Sequence, residues 1–278
     1  MASSSDALKN LFGTIVLAGA GKMGGAMLSG WLAQGLDPKR VVVIEPHPSD
    51  ETRDFATKGV KLVASARDAG SADVLVLAVK PQMLEEAGPQ LKELIQGSTL
   101  VISIMAGVTL TVIKLAFGGK AIRAMPNTPA AIGRGITVAV AERDVSSDQR
   151  AVADALLRAN GDVEWIDRDN EQQMDAVTAV SGSGPAYVFL LAEELARAGI
   201  AAGLPEALAT KLARETVAGS GELLRRSDLT SATLRENVTS PGGTTAAALS
   251  VLMGDGGFQS LLTRAVAAAT KRSKELSK

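Results

Sequence analysis

Short apolar runs recur through the first 168 residues, each followed by a stretch whose apolar positions repeat at helical spacing. TIVLAG (14–19) reads as a buried strand and MGGAMLSGWLAQG (23–35) as the helix after it. RVVVIE (40–45) and DETRDFATKG (50–59) repeat the pair, with Gly59 as the stop. ADVLVLAVKP (72–81) is a β-branched run ended by Pro81. The stretch 81–97 is predicted helical with a break at Gly88-Pro89, because proline removes a backbone donor. Strands are predicted at 99–107, 120–127, 135–142 and 162–167, and a helix at 146–160 with Ser146 or Ser147 as its cap.

Apolar strands alternating with helices imply a parallel sheet covered on both faces, an α/β fold of the Rossmann-type, doubly wound kind. After residue 168 no strand is predicted. The pattern there is helical, interrupted at SGSGP (181–185), with shorter helices at 230–238 and about 243–253. The chain thus divides into 1–168, a dinucleotide-binding domain, and 169–278, an all-α domain. Helices this apolar and this poor in aromatics suit packing against a second copy, so a homodimer through 169–278 is expected.

Composition narrows the chemistry. The chain is 46% hydrophobic but only 3% aromatic, so Ala, Val, Leu and Ile must build the core. A net charge of −1 argues against a nucleic-acid surface. With no cysteine and a single histidine, His47, thiolate chemistry, a metal site and a Ser-His-Asp triad are all set aside. No apolar run reaches membrane-spanning length. A cytoplasmic protein that touches neither membrane nor nucleic acid is expected.

Gly19, Gly21 and Gly24 stand in G-x-G-x-x-G spacing, with Ala20, Lys22 and Met23 between them. Chance produces such triplets, but this one follows a strand and opens a helix inside a βαβ unit. The first glycine permits a tight turn, the second lets backbone approach a pyrophosphate, and the third lets helix and strand touch. A free helix N-terminus then faces the phosphates. Glu45 lies 21 residues after Gly24, where a carboxylate would hold the ribose hydroxyls and repel a 2′-phosphate. It favours NADH, although Arg53 nearby offers a phosphate partner, so NADPH stays open. His47 reads as an exposed loop residue.

Other strand ends face the same way. Val79, Lys80 and Pro81 close one; Met105, Ala106 and Gly107 close another; both are expected to line the coenzyme cleft. RAMPNTP (123–129) puts Asn127 between two prolines, in a rigid loop expected to wall the site with Asn127 placing a hydrogen bond toward the coenzyme; a purely structural turn is the competing reading. In VTSPGGTTAAALSVL (238–252) a Gly-Gly turn and several hydroxyls open a helix, which is the composition of an anion site.

GAGKMGGAM, LAVKPQ, RAMPNTP, DAVTAVSGSGPAY and VTSPGGTTAAALSVL occur in this order, and together the chain resembles the pyrroline-5-carboxylate reductase family. The resemblance runs from about Ile15 to Leu262 and is most specific at RAMPNTP and SPGGTT. It implies reduction of 1-pyrroline-5-carboxylate to L-proline by NADPH or NADH, and a Rossmann domain followed by a helical dimerisation domain, often assembled into rings. It implies that Ser240, Gly242, Gly243 and Thr244 hold the substrate carboxylate, that Thr245 meets the ring nitrogen, and that Ser65 and Asn237 touch the coenzyme. Ser240 and Thr245 are thereby the candidate catalytic residues, with no metal. Glu45 departs from the small polar residue that NADPH-preferring relatives often carry. The rivals are a hydroxyacid dehydrogenase or imine reductase of the same build, and a nucleotide-sensing module without chemistry. The first usually needs a lysine base on the long helix, and none stands between Asp175 and Ala198.

Overall fold

The computed structural model describes residues 8–276. Its first unit is built on one eight-stranded sheet in the order β3-β2-β1-β4-β5-β6-β7-β8. The strands are β1 (Ile15–Ala18), β2 (Val41–Ile44), β3 (Lys61–Val63), β4 (Ala72–Leu77), β5 (Ile95–Ser103), β6 (Lys120–Met125), β7 (Gly135–Ala141) and β8 (Gly161–Trp165). The helices between them are α1 (Lys22–Ala33), α2 (Asp50–Thr57), α3 (Leu84–Lys92), α4 (Leu110–Phe117) and α5 (Ser147–Arg158).

Alternation along the strands sorts the core into two layers. Leu17, Val43, Val76 and Ile102 pack with Met27, Leu28 and Trp31 of α1 and Leu156 of α5. Val16, Val42, Leu75 and Val101 pack with Leu91 of α3 and Ile113 and Phe117 of α4. The Trp31 Nε1 donates to the Leu156 carbonyl at 2.8 Å, which satisfies the one polar atom of a fully buried ring. Ser146 caps α5 in a reciprocal capping box with Gln149.

Three expectations need correction. The sheet is not wholly parallel: β6 and β7 are antiparallel, while every other pairing is parallel. The link between β6 and β7 is residues 126–134, holding only a 3₁₀ turn at Thr128–Ile132, too short for a crossover. Second, the chain does not break at Gly88-Pro89; α3 runs through both. Pro89 and Glu85, whose carbonyl it leaves without an intrahelical donor, are both exposed residues, and the buried Gly88 sits near Phe117. Third, β5 begins at Ile95, inside the stretch expected to be helix. β3 and α4 were not marked by the pattern. β3 is a three-residue edge strand, and LTVIKLAF in α4 is too uniformly apolar to show a period.

Beyond β8 there is no strand among the described residues. A 3₁₀ turn (Arg168–Gln173), α6 (Met174–Val177) and a π-helical stretch (Thr178–Gly182) lead into α7 (Gly184–Ala201). Gly182 belongs at a close approach, since a Cβ there would lie 2.5 Å from Met125 Cε. Then come α8 (Glu206–Arg226), α9 (Ser231–Asn237), α10 (Thr244–Leu252) and α11 (Phe258–Leu276). The chain forms two compact units. One runs to Gly182 and regains the chain from Thr270; the other is Ser183–Ala269. In the second unit only Ala209 and Ala213 are buried, while Phe189, Leu190, Leu212, Leu223, Val251 and Leu261 are exposed. A helical unit with so little interior does not bury enough apolar surface to stand alone. Among the described residues no helix is long and apolar enough to cross a membrane.

Candidate active site

The glycine turn after β1 has the shape its sequence implies. Gly19 adopts φ +92°, a conformation that suits glycine. Gly21 is the N-cap of α1; no side chain caps it, and an added Cβ would meet nothing within 4 Å. Gly24 is the opposite case. A Cβ there would overlap the Gly19 carbonyl oxygen and sit 3.2 Å from Ala78 Cβ. Open backbone at Gly21 and tight contact at Gly24 make a cradle that fits a pyrophosphate against the α1 N-terminus.

Glu45, the first residue past β2, is half-buried and locked to this turn. Its Oε2 accepts from the Ala20 amide at 3.0 Å and its Oε1 from the His47 amide at 3.2 Å. Two cavities meet at it. One, of about 380 Å³, is lined by Gly19, Gly21, Glu45, Ser65, Val79 and Lys80, with Met83, Ala87 and Leu91 as an apolar wall. The other, of about 870 Å³, is lined by Gly21, Lys22, Glu45, His47, Ser49 and Lys58. The first, with its apolar wall, suits a flat aromatic base; the second is polar and also carries Glu51 and Asp54. The wall at Met83, Ala87, Gln90 and Leu91 was missed from sequence, although its helical i, i+4 spacing was readable.

The remaining expected residues divide. Ala20 is buried and Met23 is half-buried in the first turn of α1; neither the Met23 nor the Pro81 side chain lines these cavities. Pro81 instead starts a 3₁₀ turn. Of the second strand end only Ala106 is exposed. Met105 is 3% exposed in the core, and Gly107, at φ +75°, lies under the Leu276 carbonyl. The Met105 side chain therefore packs inward. Asn127 Oδ1 accepts the Ile136 amide at 3.0 Å, so this part of the side chain closes the proline-flanked loop. Ser65 Oγ donates to Asp68 Oδ2 at 3.1 Å.

In the second unit, the chain leaves α9 at Asn237, an exposed residue, and turns into α10. Gly242 takes φ +69°, and the Gly243 amide donates to the Ser240 carbonyl at 3.1 Å. Gly243 is the N-cap of α10 and no side chain caps the helix. The first amides of a helix lack intrahelical partners, so Thr244 and Thr245 offer free donors beside their own hydroxyls. Thr244 is exposed and Thr245 half-buried.

Comparison with known proteins agrees with this architecture. Residues 171–276 match the family described as pyrroline-5-carboxylate reductase dimerisation, and residues 14–107 match NADP oxidoreductase, coenzyme F420-dependent. A pyrroline-5-carboxylate reductase of Synechocystis sp. is 45% identical over 269 residues, covering 94% of this chain and 97% of the relative. The chain belongs to the pyrroline-5-carboxylate reductase family. A solved pyrroline-5-carboxylate reductase of Coxiella burnetii superposes with a TM-score of 0.88 at 37% identity, over 96% of this chain and 99% of that one. The Plasmodium falciparum pyrroline carboxylate reductase, solved with NADP bound, gives 0.82 at 29% identity over 98% and 100%. Family membership makes the lysine-free α7 expected, since a cyclic imine, unlike an alcohol, presents no proton for a base to remove.

Proposed function

We propose that this chain reduces 1-pyrroline-5-carboxylate to L-proline with NADH or NADPH. The observation that carries the reading is the pairing, in one reductase-family chain, of a dinucleotide cradle at Gly19–Gly24 with an uncapped, glycine-set helix N-terminus at Gly242–Thr245. The coenzyme supplies hydride from its nicotinamide C4. The imine carbon receives it, the C=N π pair goes to nitrogen, and a proton on nitrogen completes the secondary amine. The free Thr244 and Thr245 amides and the Ser240 hydroxyl, set by the Gly242-Gly243 turn, hold the substrate carboxylate, leaving the Thr245 hydroxyl to hydrogen-bond the ring nitrogen. Solvent can protonate the imine, so the chain's work is orientation and exclusion of water. Loss of absorbance at 340 nm from either coenzyme only when 1-pyrroline-5-carboxylate is added tests this; no substrate-dependent loss refutes it.

Glu45 leans the coenzyme choice to NADH, because its carboxylate is fixed against the Ala20 amide and would meet a 2′-phosphate as a like charge. Glu45→Ser is expected to raise the NADPH-to-NADH ratio of kcat/KM by about tenfold. An unchanged ratio from initial rates would count against Glu45.

We also read residues 169–278 as the face of a homodimer, supported by the exposed apolar side chains of the second unit and the dimerisation-family match. Light scattering on a sizing column distinguishes monomer, dimer and the ring of dimers that the resemblance implies. We read its site of action as the cytoplasm, which the cysteine-free sequence fits.

A further inference from the structure

A buried guanidinium interrupts β6. Arg123 is 5% exposed in a strand otherwise made of Ala, Ile and Met at its neighbouring positions. Burying a charge costs several kilocalories per mole unless it is well paired, so the pairing needs a reason. Its partner is Glu171, in the 3₁₀ turn after β8: Arg123 Nη1 donates to Glu171 Oε1 at 3.2 Å, and both side chains are largely enclosed. The same oxygen accepts the amide of Leu110, the first residue of α4, at 2.7 Å. Oε2 accepts from Arg168 Nη1 at 2.9 Å, and Arg168 Nε in turn donates to Glu142 at 3.0 Å. One carboxylate thus ties β6 to the start of α4.

Those two elements have a common consequence. β6 runs within two residues of Met125 into the proline-flanked loop holding Asn127, and α4 follows directly on the turn holding Ala106 and Gly107. Both loops stand at carboxyl ends on the β4–β6 side of the sheet. In a doubly wound fold that side takes the second nucleotide of a dinucleotide, here the nicotinamide, while β1–β3 take the adenosine. We propose that Glu171 is a positioning residue for the nicotinamide half of the coenzyme: by joining Arg123 and the Leu110 amide it holds the 105–108 and 125–129 loops at one spacing. This rests on the coenzyme reading above. Glu171 touches neither substrate nor coenzyme; it acts through the loops.

The test uses two ligands that differ in the nicotinamide. ADP-ribose has the adenosine, pyrophosphate and second ribose of NADH but no nicotinamide. In calorimetric titrations of the full-length protein, Glu171→Gln is expected to weaken NADH and NADPH by about tenfold while ADP-ribose changes by less than about twofold. A carboxylate that only stabilises the fold would lower the melting temperature and leave the NADH-to-ADP-ribose affinity ratio unchanged, and that result overturns the proposal. Equal weakening of all three ligands overturns it as well. If Glu171→Gln does not fold, Arg168→Gln, which removes the outer brace at a more exposed position, should show the same selective loss at about threefold. An unaltered ratio in that variant refutes the clamp. Wild-type protein that binds neither NADH nor ADP-ribose would instead sink the coenzyme reading itself.

Discussion

Alanine at Gly24 is expected to weaken NADH and ADP-ribose alike, by roughly a hundredfold, with the fold retained. A Cβ at this position has nowhere to go. It would overlap the Gly19 carbonyl oxygen and press on Ala78 Cβ, so relief means lifting α1 away from the turn. Overpacking of this kind costs about 1–3 kcal/mol, and the strain falls on the turn proposed to receive the pyrophosphate. Because the obstruction lies at the phosphates, removing the nicotinamide should not rescue binding, which separates this variant from Glu171→Gln. The control is Gly97→Ala, in β5, where an added Cβ would meet nothing within 4 Å. That variant should bind nearly as wild type. Equal, unimpaired binding by both variants would show that the helix–turn contact does not shape the coenzyme site.

Thr245→Ala should lower kcat by about a hundredfold while coenzyme affinity stays within experimental error. Thr245 sits in the first turn of α10, half-buried, with its hydroxyl beside the free amides of an uncapped N-terminus. Its loss removes the group expected to orient the ring nitrogen, an interaction that strengthens as that nitrogen gains electron density. Thr245→Ser keeps the hydroxyl and should recover most of the rate. The measurement is single-turnover hydride transfer beside steady-state KM. A rise in KM with kcat unchanged would move Thr245 from the reacting nitrogen to the carboxylate cradle; unchanged kcat and KM would remove it from the site.

Much of the geometry of this candidate site was readable because it depends on backbone rather than on distant side chains. A positive φ at Gly19, the Gly24 contact and the bare amides after Gly243 all follow from glycine in a local turn, and glycine is visible in sequence. The place of Glu45 beside this turn was legible for the same reason, since its position after β2 sets its reach, but its bonds to the turn were not. Met105 was not. Strand alternation puts each side chain on one face or the other, and where the strand ends decides which; Met105 turned into the core, leaving Ala106 exposed. Glu171 carried no local signal, since it acts on Arg123 and Leu110, 48 and 61 residues away.

Sequence alone determined the parallel Rossmann core, the helical second half, the glycine cradle and the family, because periodicity, turn residues and motif order are local properties of the chain. Tertiary structure decided the reversal of β7, the inward turn of Met105, the buried Arg123–Glu171 pair and the use of Glu45 to brace the glycine turn. Each of these depends on which segments the sheet brings side by side. That pairing minimises buried, unpaired polar groups over the whole unit, a quantity that no window of sequence contains.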